Sequence, residues 1–208
     1  MTIKWVIFDA MGVIYEVADD VSDLLVPFLR SKNYKKPIRF IFKEYIRASL
    51  GQITSLEFWT ALGYNKEYPE IEKEFLDNWY TLDPEFIEVA KELTEKYKFA
   101  MLSNDIKDWS NFLRSKFEIN KFFDVNVISG NVGYRKPDIR IYKILLNDIN
   151  TSAEKCIFVD DKLENLQVAS ELGINTIRFV RNKSKVEFCS EFEISSFKEL
   201  IPVVENFY

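Results

Sequence analysis

The sequence predicts an α/β fold: a parallel β-sheet covered by helices on both faces, with a helical segment inserted after the first strand. Three observations carry that expectation. Five short apolar runs rich in β-branched and aromatic residues recur along the chain, most of them followed by a helical pattern. One long stretch, residues 16–82, has helical periodicity and many aromatics but no convincing buried strand. That stretch follows the first strand directly, which reads as a cap over the active edge of a Rossmann-like core. The expected division is therefore a core of residues 1–15 and 83–208 and a helical cap of residues 16–82.

The apolar runs cover residues 3–8, 99–102, 125–128, 156–159 and 176–180. Within the cap, Gly51 and Gly63 mark turns between helices. After it, Asp83-Pro84-Glu85 offers an N-cap, a proline in the first turn and an acid near the positive helix end. Phe86, Val89, Ala90, Leu93 and Tyr97 then fall on one helical face. Residues 138–147 and 164–172 read as further helices on the same sheet.

A chain of 208 residues can hold one good core plus a small accessory domain. Apolar residues at 47% and charged residues at 29% fit a folded rather than a disordered chain. The net charge of −5, with nothing denser than Lys35-Lys36 on the basic side, argues against nucleic acid or an anionic membrane as partner. The apolar run from Trp5 to Phe8 is too short for a signal peptide, and no stretch approaches the ~18 apolar residues of a membrane helix. Cys156 and Cys189 lack metal or redox spacing, and Cys156 reads as buried core. A reducing, cytoplasmic setting is expected. The absence of histidine excludes Ser-His-Asp and Cys-His catalysis and histidine-ligated zinc.

Ligands of open parallel sheets bind beyond the carboxyl ends of the strands, so chemistry is sought there. VIFDAMGVIY places Asp9 at the tip of the first strand, where an acid can also be a simple helix cap. MLSND places Ser103 and Asn104 after the second, suited to a phosphate oxygen or to ordinary turn chemistry. GYRKPDIRIY carries Lys136, which can project toward the sheet edge or remain a surface lysine. CIFVDDKLENL is sharper: Asp160 and Asp161 repel each other unless a cation sits between them, and hard oxygen ligands suit magnesium.

In order and spacing these four segments resemble the haloacid-dehalogenase-like superfamily. They are most similar to the branch with glucose-1-phosphate phosphatases and the N-terminal phosphatase domain of epoxide hydrolases. The residues 133–142, the trio Asp160, Asp161 and Asn165, and the cap segment GQITSLEFW all fit that branch. The resemblance implies a magnesium-dependent phosphatase acting on a small phosphorylated metabolite, as a monomer or homodimer. Asp9 would be the nucleophile that forms an aspartyl-phosphate. Magnesium would sit on Asp9, the Met11 carbonyl and Asp161, with Asp160 as ligand or neighbour. Ser103, Asn104 and Lys136 would hold the phosphoryl group, and Asn165 would orient the acids.

One position departs from the pattern. Many superfamily phosphatases carry a second aspartate two residues after the nucleophile as general acid and base, and here Met11 stands there. A thioether donates no proton, and such help is worth about 10²–10⁴-fold. Alkoxide leaving groups are then poor substrates unless another donor reaches in. Two other readings stay open: a metal-independent 2-haloacid dehalogenase, whose halide needs no proton, and a non-catalytic phosphate-ligand binding or regulatory protein.

Overall fold

The structure is a computed structural model that describes residues 2–181 and 192–207. Cys189 lies outside the described residues. Within them the chain forms β1 (Trp5–Phe8), then a helix whose first turn is π-type (Asp20–Leu25) and which continues as α1 (Val26–Ser31). Helices α2 (Ile38–Ser49), α3 (Ser55–Leu62), α4 (Glu70–Trp79) and α5 (Phe86–Leu93) follow. The remainder alternates: β2 (Lys98–Ser103), α6 (Lys107–Lys116), β3 (Val125–Ile128), α7 (Ser129–Val132), α8 (Ile139–Ile149), β4 (Cys156–Asp160), α9 (Leu163–Glu171), β5 (Asn175–Phe179), β6 (Glu193–Ile194) and α10 (Phe197–Glu205).

The strands form one parallel sheet in the order β3-β2-β1-β4-β5-β6. The five expected strands are present, with ends shifted by one or two residues. The two-residue β6 is additional, and it is too short to leave a periodic signal. In β1 all four residues are buried, and the period of two splits them between faces. Val6 and Phe8 join the layer containing Phe86, Phe99 and Phe197, whereas Trp5 and Ile7 join that of α8 and α9. Phe8 meets Phe99 at 4.8 Å and Phe86 edge-on at 6.0 Å. Burying a ring this size stabilises by about 1.5–3 kcal/mol, so the central strand is firmly seated.

Residues 20–79 contain helices and no strand. The chain enters and leaves this segment through paired linkers: Tyr15 bridges Leu82, Glu16 N–H donates to Thr81 O at 3.1 Å, and Asp83 N–H donates to Ile14 O at 2.9 Å. Gly51 and Gly63 both turn with positive φ after α2 and α3. The aromatics Phe58 and Trp59 are wholly buried against Phe28, Phe75 and Trp109, so they are packing rather than pocket.

Two local expectations are corrected. Asp83 does not cap α5, which starts at Phe86 behind Glu85. Instead its Oδ1 accepts from Glu85 N–H at 2.8 Å and closes a turn, one residue before the helix begins, while its Oδ2 is engaged by Arg181. Tyr97 lies past the end of α5, in the turn before β2, although it still packs on the same core. By contrast Asp138 caps α8, accepting from Arg140 N–H at 2.9 Å.

Candidate active site

Because β1 lies between β2 and β4, the carboxyl ends of these three strands bring Asp9, Ser103 and Asp160 to one edge. Asp9 is anchored through its own N–H, which donates to Val159 O at 2.9 Å, and its Oδ1 accepts from Ala10 N–H at 2.7 Å. The loop then turns at Gly12, whose φ of +76° favours glycine. A Cβ at Gly12 would fall 2.7 Å from Asp161 Cγ and Oδ2. Glycine is therefore what lets this loop approach Asp161.

Lys136 reaches the same edge from the segment between α7 and α8. Its backbone is gripped by one side chain: Asn104 Nδ2 donates to Lys136 O at 2.9 Å, and Lys136 N–H donates to Asn104 Oδ1 at 2.7 Å. The ammonium is 5% exposed at residue level and lies 2.7 Å from both Asp9 Oδ1 and Asp160 Oδ2. The surface-lysine alternative is excluded. Asn104, expected to face substrate, has its side-chain amide committed to this grip, so only its backbone is available to a ligand.

Asp160 is saturated. Besides Lys136 it accepts from Asn165 Nδ2 at 3.1 and 3.0 Å and from Lys162 N–H at 2.8 Å. Asn165 thus orients Asp160 and not Asp161. Asp161 has a buried Oδ1 with no hydrogen-bond partner among the described residues, and so has the Ser103 hydroxyl. Carboxylate oxygens of Asp9, Asp160 and Asp161 come within 4.8 Å of one another. Burial, and then the neighbouring acids, push the Asp9 carboxyl up to about 7 against the pull of Lys136. Burial and Asp160 push Asp161 up to about 6. Lys136 is held above its ordinary range by Asp160 and Asp9, which outweigh its burial. One ammonium does not balance three carboxylates.

The donors fit a hard divalent cation: clustered carboxylates, one of them with an orphaned oxygen, and no cysteine or histidine in the cluster among the described residues. A cleft of about 500 Å³ opens onto Asp161, lined also by Gly12, Glu16, Val17, Asp23 and Arg181.

A model of haloacid dehalogenase-like hydrolases matches residues 3–173. The chain belongs to this hydrolase family. It is 31% identical over 105 residues to a glyceraldehyde 3-phosphate phosphatase of Methanocaldococcus jannaschii, covering 49% of this chain and 45% of that protein. It is 31% identical over 147 residues to a drimenol cyclase of Aspergillus calidoustus, covering 67% of this chain and 27% of that one. The chain thus spans less than half the length of either curated relative. A family enzyme of Bacteroides thetaiotaomicron, solved with magnesium and inorganic phosphate, superposes with a TM-score of 0.69 at 21% identity, over 88% of this chain and 96% of that one. That likeness supports the fold. No described helix is long and apolar enough to cross a membrane.

Several residues around the site escaped the sequence reading. Arg181, just after β5, ties both linkers: Nε donates to Gly12 O at 3.1 Å, Nη2 to Val13 O, and Nη1 pairs with Asp83 Oδ2 at 2.6 Å. Asp20 and Asp105 are buried acids where the inserted helices meet the sheet edge, beside the hydroxyl of the cap aromatic Tyr45. Asp20 opens its helix and Asp105 sits in the turn between β2 and α6, positions where an acid is commonplace, so no local signal marks them.

Proposed function

We propose that the chain is a magnesium-dependent phosphatase acting on a small phosphorylated metabolite through an aspartyl-phosphate on Asp9. The observation that carries this reading is the carboxylate trio with Lys136 wedged between Asp9 and Asp160. A nucleophilic acid beside a cation-binding acid is what phosphoryl transfer to a carboxylate requires. Magnesium would be held by Asp9, Asp161 and the main-chain carbonyl of Met11, with Asp160 beside it. When bound, it supplies positive charge to the phosphoryl oxygens and to the crowded acids.

The chain's own groups do the rest. Asp9 attacks phosphorus while Lys136 offsets its charge and takes up phosphoryl oxygen. The unpartnered Ser103 hydroxyl donates to a second oxygen, and the Asn104 backbone lies beside it. Asn104 and Asn165 set the positions of Lys136 and Asp160. Residues 16–82 act as the cap, and the bond from the Tyr45 hydroxyl to Asn104 O supports a position over the strand ends. The relatives' names support a phosphorylated substrate, and we extend the reading to a monomer or homodimer in the cytoplasm.

The test is release of inorganic phosphate from p-nitrophenyl phosphate with and without magnesium. Turnover is expected only with the ion, and Asp9→Asn should lower it by roughly 10⁴-fold or more with the fold intact. Chloride release from 2-chloropropionate without magnesium, or ligand-induced stabilisation without any turnover, would replace this reading by one of its two rivals.

A further inference from the structure

If the chain is a phosphatase, the leaving oxygen still needs a proton that Met11 does not carry. We propose that Asp20 is the general acid and base of this enzyme, delivered from the inserted helices and positioned by Tyr45. The inference rests on the phosphatase reading and names a catalytic residue within it.

The placement follows from contacts on both sides of Asp9. On the β2 side, the Tyr45 hydroxyl bonds the Asp20 carboxylate and reaches Asn104 O at 3.3 Å, one residue from Ser103. On the β4 side, Val17, Ala18 and Asp23, which flank Asp20 in sequence, line the cleft that opens onto Asp161. In the sheet order β2-β1-β4, the strand between those flanks is the one that ends at Asp9.

Asp20 also has the environment of a proton donor. It is 8% exposed, and among the described residues its side-chain bond is to a neutral hydroxyl. Burial raises its carboxyl to about 6, while Tyr45, Arg135 and Lys162 pull it down and Asp19 pushes it up. Asp105 and Tyr80 face it as well, each raised in turn by its charge. An acid with this history keeps a usable protonated fraction near neutral pH, as a general acid must.

The step balances. As the Asp9 oxygen bonds to phosphorus and the ester P–O bond breaks, the Asp20 proton passes to the departing oxygen and an alcohol leaves. Asp20, now ionised, takes a proton from the water that attacks the aspartyl-phosphate. Phosphate departs, and both carboxyl groups return to their starting states.

The experiment compares wild type with Asp20→Asn on p-nitrophenyl phosphate and on an unactivated alkyl phosphate, glycerol 2-phosphate, both with magnesium. Asparagine keeps the shape and an acceptor for Tyr45 but holds no transferable proton. The alkyl kcat/KM, which reads formation of the aspartyl-phosphate, should fall by about 10²-fold or more while the aryl kcat/KM changes by less than about threefold, and kcat should fall on both because hydrolysis of the shared intermediate loses its base. The wild-type alkyl rate should also decline as pH rises through the Asp20 value, a limb that the variant lacks. Equal losses of kcat/KM on both substrates, or no loss on either, would overturn the proposal and leave the phosphatase reading standing. Absence of turnover in wild type on both esters would overturn the two together. Should the variant not fold, wild-type rates across a series of aryl and alkyl esters decide: a shallow dependence on leaving-group acidity supports Asp20, a steep one sinks it.

Discussion

Two buried acid clusters lie at the same end of the sheet, and they solve the problem of buried charge differently. Asp9, Asp160 and Asp161 crowd around one touching ammonium and remain short of positive charge. Asp20 and Asp105 are met by neutral donors, the Tyr45 hydroxyl and the Ile106 N–H. Tyr15 and Tyr80 stand nearby with buried hydroxyls, and Arg114 and Arg135 act on the acids from farther off. Burial raises both of these carboxyls, Asp105 well above its ordinary range. The first cluster calls for another cation. The second keeps its protons to higher pH than free carboxyls do. Cation binding and proton storage thus sit side by side, separated by the Tyr45 contact with Asn104.

The largest effect expected on this contrast comes from Lys136→Met. Removing one partner from a buried ionic group costs about 3–5 kcal/mol, because the remaining charges are left uncompensated. Urea unfolding with chelator present at pH 8 should show that loss, and magnesium should restore part of it. An unchanged midpoint would mean that the acids are neutral without the lysine, which would erase the distinction between the clusters.

Asp20→Asn should act in the opposite direction. The folded carboxyl titrates near 6 against an ordinary 3.8, so the native state holds the extra proton between those values. Stability from this group is therefore present at low pH and is lost as pH rises through that window. The difference is about two pH units, or on the order of 3 kcal/mol by pH 8. The variant should match wild type near pH 4 and exceed it at pH 8 in the same unfolding assay. A variant weaker at both values would show that Asp20 is chiefly an architectural acid.

A smaller effect is expected where the inserted helices join the core. Arg181 pairs with Asp83 at partial burial and holds two carbonyls of the loop after Asp9. Arg181→Ala should cost about 1–3 kcal/mol, as the loss of hydrogen bonds to a charged group does. Thermal melting and faster proteolysis at the linkers would register it. The loop contact also predicts weaker magnesium-induced stabilisation, since Gly12 abuts Asp161. A shift in melting temperature with unaltered response to magnesium would confine Arg181 to the linkers.

The sequence by itself determined the parallel sheet, the helical insertion and the residues of the first cluster. Those features are local: each strand announces itself by continuous apolar character, and Asp9, Ser103 and Asp160 occupy the positions where such strands end. Adjacency in sequence is adjacency in space there. Lys136 was legible only through its motif, because its placement depends on the Asn104 grip from another strand end. Only the tertiary structure decided that Asn104 serves the lysine backbone, that Asp160 is saturated while Asp161 is open, and that Arg181 spans both linkers. It alone assembled the second cluster as well. Asp20, Tyr45, Tyr80 and Asp105 come from four separate segments, and none has a neighbour in sequence that explains its burial. A polar side chain shows its role through what desolvates it and what bonds it, and both are set by packing between distant segments, not by local periodicity.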